Sequence, residues 1–237
     1  MLRVWVAQIP PAGATVLLGP DEERHLRVRR PDPGEILEII DGQGHLARGQ
    51  LAISGKHLQI TVDEHIQTQR ENAGLITAYL ALPQALDSLE SVLPGLVQLG
   101  VHRIQILQTQ WSGPKRLYEK FERRFENLAC QALKQSGRLV APTLLGFKAI
   151  EQVLTQGLTG QHWLLHPGGQ GHLPRMRPPE LGFWVGPEAG FHSDEVALAQ
   201  QMGVAIVDCG PRILRMETAV IGVAFQIAMT PLSGALT

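Results

Sequence analysis

The stretch 208-DCGPRILRMETAVIGVAF-225 joins two kinds of structure within eighteen residues. Upstream, the apolar run 204-VAIVDCG-210 reads as a buried strand; after Met216 the apolar run reads as a helix. Between them stand Gly-Pro-Arg, then Ile-Leu, then Arg-Met-Glu-Thr. Glycine lets backbone approach closely and proline stiffens the turn. An arginine and a glutamate beside apolar residues at the foot of a helix suggest that something is held there.

A second stretch repeats this grammar. In 181-LGFWVGPEAGFHSDEV-196 a strand ends in Gly186-Pro187, Glu188 follows, and Ser193 is expected to cap a helix with acids in its first turn. Further strands are expected at 74-GLITAYLAL-82, 103-RIQIL-107 and 162-HWLLH-166. Helices are expected over 84–93, 114–136, 148–157 and from 216 to about 230. Strands alternating with helices argue for an α/β fold with a mostly parallel sheet covered on both faces. Ligands bind such sheets at the carboxyl ends of the strands, where both Gly-Pro loops fall.

Residues 1–70 are built differently. Short, partly alternating runs at 2–7, 15–18, 35–41, 46–53 and 57–64 are punctuated by Gly, Pro and Asp, and suggest a small β-barrel. The exception, 21-DEERHLRVRR-30, places acids first and arginines last, as a helix dipole prefers. The polar stretch 67-QTQRENA-73 marks the boundary, giving domains of 1–70 and 71–237. Within the first domain 42-GQGHLA-47 matches a dinucleotide fingerprint, with Asp63 about twenty residues on. That motif requires a helix next, whereas 46-LARGQLAI-53 runs on as strand and Asp41-Gly42 signals a hairpin.

Composition narrows the class. The chain has 237 residues, a net charge of −1 and no apolar run of membrane-spanning length. The start, MLRVWVAQIPP, lacks the pattern of a signal peptide. Cys130 and Cys209 lie far apart and read as reduced thiols of a cytoplasmic protein. Nine histidines raise the question of metal, yet His162, His166 and His172 have no carboxylate or cysteine at a familiar ligand spacing, so no metal is expected. With so little net charge, any contact with nucleic acid must come from local patches.

Taken together, 186-GPEAGF-191 with the acids after it and 210-GPRILRMETA-219 resemble the signatures of the SPOUT superfamily of RNA methyltransferases, and more closely the ribosomal RNA small subunit methyltransferase E family. The stretches 25-HLRVRRPDPGE-35, 39-IIDGQG-44 and 130-CQALKQSGRLVAP-142 resemble that family in the same order. The resemblance implies a PUA-like RNA-binding β-barrel followed by a SPOUT α/β domain with a C-terminal trefoil knot. It also implies a homodimer, S-adenosyl-L-methionine as cofactor, and methylation of N3 of a uridine in small-subunit ribosomal RNA, naked or in the assembled small ribosomal subunit. The chain departs from the family's pattern in places: Ala189 stands for a glycine, Met216 for a threonine and Trp111 for an arginine, no basic residue stands near Gln84-Ala85, and 97-VQLG-100 replaces Thr-Glu-Leu-Gly. Pro94-Gly95 before it is expected to kink or end its helix. These departures keep a non-catalytic RNA-binding relative as an alternative; a nucleotide-dependent oxidoreductase rests only on 42-GQGHLA-47.

By the resemblance, Gly186, Pro187, Glu188 and Gly190, with the segment from Cys209 to Thr218, wrap the cofactor. An adenine needs apolar walls, which Leu165, Ile213 and Leu214 can supply. Arg215 is the candidate for stabilising a uracil anion, because N3 must lose its proton before it attacks a methyl group. Glu188 or Glu217 takes the proton or binds cofactor hydroxyls, and the sequence leaves that choice open. Arg24, Arg27, Arg29 and Arg30, clustered with His25, form one basic group for RNA phosphates, Lys115, Arg116, Lys120, Arg123 and Arg124 a second, and Arg3 is also expected to meet RNA.

Overall fold

The computed structural model describes residues 2–173 and 175–233. The chain divides into two compact units, Met1–Glu71 with Cys130–Ala141, and Asn72–Ala129 with Pro142–Thr237. Among the described residues no helix is long and apolar enough to cross a membrane.

The first unit holds β1 (Arg3–Trp5), β2 (Thr15–Leu17), α1 (Pro20–Arg29), β3 (Ile36–Ile40), β4 (Leu46–Ser54) and β5 (His57–Ile66). Its sheet runs β1-β3-β4-β5-β2, and no pairing joins β2 to β1 among the described residues. The expected barrel is thus a curled five-stranded sheet. Part of its bend comes from a bulge at Arg48/Gly49, where a Cβ on Gly49 would meet the Thr61 carbonyl oxygen at 2.4 Å. Residues 41–45 form a hairpin loop, not a nucleotide loop: Ile40 pairs with Leu46, and buried Asp41 accepts the Gln43 N–H at 2.9 Å. Alternate residues of β3, β4 and β5 meet Val4, Leu18 and Leu26 in one core.

The second unit holds β6 (Leu75–Ala81), α2 (Leu86–Gln98), β7 (Arg103–Gln108), most of α3 (Arg116–Ser136), β8 (Thr143–Ala149), α4 (Ile150–Thr155), β9 (Gln161–Leu165), β10 (Glu180–Val185), α5 (Ser193–Gln201), β11 (Ala205–Val207) and α6 (Met216–Met229). The six strands pair in parallel in the order β11-β9-β10-β6-β7-β8. Edge strand β8 has no counterpart in the sequence reading. Gly146 breaks its apolar run with φ 101, its partner β7 shifts register opposite it, and its side chains are only partly buried.

Two local expectations fail for identifiable reasons. Helix α2 continues past Pro94 to Gln98, because Leu89, Val92, Leu93, Leu96 and Val97 bury one face and Gly95 lets Ile221 of α6 come close. Tertiary packing there outweighs the lost N–H. Helix α5 is capped by His192 instead of Ser193: His192 Nδ1 accepts the Asp194 N–H at 3.3 Å, and Glu195 accepts the His192 N–H at 2.8 Å.

In the middle of the sheet Tyr79 stacks on Trp184, with ring centroids 4.1 Å apart. Trp184 Nε1 donates to His162 Nδ1 at 3.1 Å, so His162 Nε2 carries the proton given to the Thr159 carbonyl at 2.9 Å. Burial holds the His162 pKa below its ordinary value.

Candidate active site

At the carboxyl ends of β9, β10 and β11 three chain segments surround a cavity of about 750 Å³. They are residues 165–167, 185–190 and the run from 208 into the first turn of α6. That volume lies within the range of sites for drug-sized ligands and cofactors.

The second segment folds back on itself at once. A Cβ on Gly186 would lie 3.0 Å from the carbonyl carbon of Gly190 and 3.1 Å from the nitrogen of Phe191, so any larger residue would press the turn apart by a few tenths of an ångström. The Gly190 N–H closes the turn on the Pro187 carbonyl at 2.8 Å. The first and third segments are tied by Asp208, whose carboxylate accepts the Gly168 N–H and the Gly210 N–H, each at 3.0 Å. A backbone bond from His166 N–H to the Val207 carbonyl at 3.0 Å continues that join. Three glycines, Gly186, Gly190 and Gly210, line the cavity, with Leu165, Val185, Ile213, Leu214 and Met216 as its apolar surfaces.

Its charged groups differ in how far the fold already uses them. The Glu188 carboxylate accepts the Gln84 N–H at 3.2 Å, tying the loop after β10 to the turn after β6. Glu217 accepts the Ser88 hydroxyl of α2. That bond, with a smaller contribution from the Arg215 charge, holds the Glu217 carboxyl below its ordinary pKa. Glu217 is therefore an ionised hydrogen-bond acceptor and a weak proton acceptor at neutral pH. Arg215 and Arg212 are exposed and form no ion pair among the described residues. Partial desolvation and neighbouring Asp208 push the Cys209 thiol up, so it stays protonated.

Of the residues expected to hold a cofactor, Leu165, Gly186, Pro187, Glu188, Gly190, Cys209, Ile213, Leu214, Arg215 and Glu217 line this one cavity. Thr218 does not; it is exposed on α6, and Ala219 lies in the wall one residue further on. The sequence reading missed His166, Pro167, Val185, Ala189, Asp208 and Ala219. For Asp208 a signal existed, since an Asp two residues before a glycine at a strand end commonly caps the turn.

The basic residues separate in the same way. Arg3 is mostly buried: its Nε donates to Glu38 at 3.0 Å and its Nη1 reaches the Leu133 carbonyl at 3.4 Å. Most of its N–H donors are engaged inside the fold, which leaves little of the guanidinium for an RNA phosphate. Arg27 gives one nitrogen to the Lys56 carbonyl and lies 3.8 Å from Glu23. Arg124 is paired with Glu90 at 2.6 Å, and Arg24 with Asp21 at 3.1 Å on an open surface. Arg29, Arg30, Lys115 and Arg116 are exposed and form no ion pair among the described residues.

Comparison with known proteins places both parts of the chain. Residues 70–228 match the RNA methyltransferase domain family, and residues 18–63 match the RNA methyltransferase PUA domain. The ribosomal RNA small subunit methyltransferase E of a Synechocystis species is 30% identical over 227 residues, covering 92% of this chain and 74% of that protein. The protein of the same description from Mycobacterium bovis is 28% identical over 232 residues, covering 91% and 86%. Among solved structures, a ribosomal RNA small subunit methyltransferase E from Neisseria gonorrhoeae, bound to S-adenosyl methionine, superposes with a TM-score of 0.87 at 27% identity and covers 96% of each chain.

Proposed function

The chain belongs to the RNA methyltransferase domain family, and on that premise we propose that it methylates N3 of a uridine in small-subunit ribosomal RNA. Its cofactor is S-adenosyl-L-methionine, the molecule bound in the Neisseria gonorrhoeae structure. The observation that carries the reading is the cavity itself: glycine-rich and apolar walls with two cations, Arg212 and Arg215, that form no ion pair among the described residues, where strand, turn and helix meet. Leu165, Val185, Ile213 and Leu214 offer walls for an adenine, and the 186–190 and 208–214 backbones offer donors and acceptors for its polar edge.

When bound, the cofactor supplies an electrophilic methyl group. The protein must then present the uracil with N3 deprotonated. Arg215 is assigned to the uracil carbonyl oxygens, where its charge favours the anion over the neutral base. Glu217, ionised and oriented by Ser88, accepts a hydrogen bond from substrate or cofactor. Glu188 is assigned to positioning, since its carboxylate is occupied by the Gln84 backbone. The two units are assigned as domains with separate roles, the first a PUA-like RNA-binding unit and the second the methyltransferase. Arg24, Arg27, Arg29 and Arg30 of the first unit, and Lys115 and Arg116 of the second, are assigned to phosphates.

The proposal extends to assembly. Thr218, Gly222, Phe225 and Met229 follow one another at helical spacing on the exposed side of α6, with Phe225 56% and Met229 70% exposed. An apolar stripe on the helix that begins at the cavity suits a second copy of the chain, giving a homodimer. The run from edge strand β11 back to α6, packed near Gly95 of α2, is assigned to the C-terminal trefoil knot.

The test is to incubate the protein with methyl-labelled S-adenosylmethionine and small ribosomal subunits lacking the N3-methyluridine mark. Labelled N3-methyluridine in the digest is the expected result. A different labelled nucleoside refutes the target, and no label beside an active control enzyme refutes catalysis.

A further inference from the structure

One exposed aromatic ring stands outside the chemistry assigned so far. Of the four tryptophans, Trp184 and Trp163 are buried and Trp5 is half-buried, whereas Trp111 is 46% exposed. It lies in the loop between β7 and α3, at the same carboxyl edge of the sheet as the cavity.

The backbone of that loop is anchored on both sides of Trp111. The Thr109 N–H donates to Ser112 Oγ at 2.9 Å, and the Gln110 N–H donates to buried Glu195 at 2.7 Å. The Gly113 N–H donates to the Leu82 carbonyl at 2.9 Å. A Cβ on Gly113 would lie 2.1 Å from the Pro83 carbonyl oxygen, so the loop is pressed against the turn after β6. Gln84 of that turn donates its side-chain N–H to the Trp111 carbonyl at 3.0 Å, while its backbone N–H is held by Glu188 in the cavity wall. Trp111 is thus joined to the rim of the cavity through a single residue. The His192 ring approaches to a centroid distance of 6.3 Å at a tilt of 56°, and so flanks the indole without stacking on it. Lys115 and Arg116 follow, exposed and without ion pairs among the described residues.

We propose that Trp111 is a stacking platform for an unpaired nucleobase next to the target nucleotide, in a single-stranded stretch of RNA whose phosphates meet Lys115 and Arg116. The inference rests on the RNA methyltransferase reading of the cavity. An exposed π-face on a tied-down loop, with cations following in the chain, is the arrangement that binds single-stranded nucleic acid with little regard to base identity. A protein partner would call for a wider apolar surface, and the neighbours Gln110, Lys115 and Arg116 are polar.

The test uses Trp111→Ala, Trp111→Leu and Trp111→Phe in the full-length chain, with a single-stranded ribo-oligonucleotide spanning the methylated position. Stacking predicts that Ala and Leu each raise the Kd for the oligonucleotide by about 5- to 100-fold while Phe stays within a few-fold of wild type. S-adenosylmethionine affinity and melting temperature stay unchanged in the Phe and Leu variants. Tryptophan fluorescence of the wild type is quenched on adding the oligonucleotide, and that quenching is lost in Trp111→Phe. Rescue by Leu as complete as by Phe overturns the proposal in favour of simple packing, and unchanged binding in all three variants overturns it outright. If the wild type binds the oligonucleotide but transfers no methyl group to small ribosomal subunits, the catalytic reading fails, while the binding comparison still decides the role of Trp111.

Discussion

Replacing Arg215 with alanine separates a catalytic cation from a structural one. Arg215 is the N-cap of α6, and its carbonyl accepts the Ala219 N–H at 2.9 Å. That bond is made by the backbone and survives truncation. The guanidinium forms no cap bond and no ion pair among the described residues. It also stands at the positive end of a 14-residue helix, where a cation costs about 0.3–1 kcal/mol before screening. Attraction to Glu217 offsets part of this, but Ser88 is the larger influence on that carboxylate. The net effect of truncation on stability should therefore stay within about 0.5 kcal/mol, a shift of roughly 2 °C or less for a chain of this size.

The expected effect on turnover is far larger. Removing one preorganised donor from a developing anion lowers kcat by about 10²–10³, or roughly 2.7–4 kcal/mol. Single-turnover methylation of small subunits, with calorimetric titration of S-adenosylmethionine, separates the two effects. Cofactor affinity should hold within about threefold, roughly 0.7 kcal/mol. The remaining activity should rise more steeply with pH than the wild type's, because solvent must then supply the uracil anion. A kcat within a few-fold of wild type, or a loss confined to cofactor affinity, refutes the role assigned to Arg215.

Four further outcomes follow from the same geometry. Gly186→Ala places a methyl 3.0 Å from the Gly190 backbone, and the forced opening should weaken S-adenosylmethionine by about tenfold in calorimetry, with the fold retained. Ser88→Ala removes the main cause of the low Glu217 pKa, so an acid limb of kcat/KM that depends on ionised Glu217 should move to higher pH. His162 is held below its ordinary value of 6.5, so the unfolded chain takes up that proton first. Stability is full above about pH 6.5 and falls below it by at most about 1.4 kcal/mol per pH unit, until the folded-state pKa is reached; denaturant melts of His162→Gln should show a flatter pH dependence. Phe225→Glu with Met229→Glu should turn a dimer into a monomer in light scattering, and a wild type already monomeric would refute the assembly reading.

Periodicity and punctuation made most of the fold legible. Continuous apolar runs such as 75–81 and 181–185 have nowhere to lie but inside a covered parallel sheet, and the Gly-Pro pairs that follow strands mark where each run must turn. β8 stayed hidden because an edge strand needs only one buried face and tolerates a glycine bulge, which removes the periodic signal. The continuation of α2 past Pro94 was equally illegible, since the compensating contact with Ile221 lies more than a hundred residues away. The transfer of residues 130–141 to the first unit is of the same kind: nothing local in a 21-residue helix says that its end joins another core.

The site divides along a different line. Glycine, proline and apolar positions were readable because backbone geometry and wall chemistry are properties of short segments. Charges were not, because a charged side chain is defined by its partner. Arg3 and Arg215 look alike in sequence, yet one is paired with Glu38 inside a fold while the other has no ion-pair partner among the described residues. Glu188 and Glu217 are both acids beside a Gly-Pro loop or a helix start, yet one cross-links two turns through the Gln84 backbone and the other is held ionised by a hydroxyl on α2. Partners at separations of 35, 104 and 129 residues carry no local signal. What the fold leaves unused is therefore the more informative set: Arg215 and Arg212 at the cavity, Lys115, Arg116 and Trp111 beside it. A cation at the positive end of a helix dipole costs stability where it stands, and it and the exposed indole of Trp111 both suit a bound, negatively charged, stacked substrate.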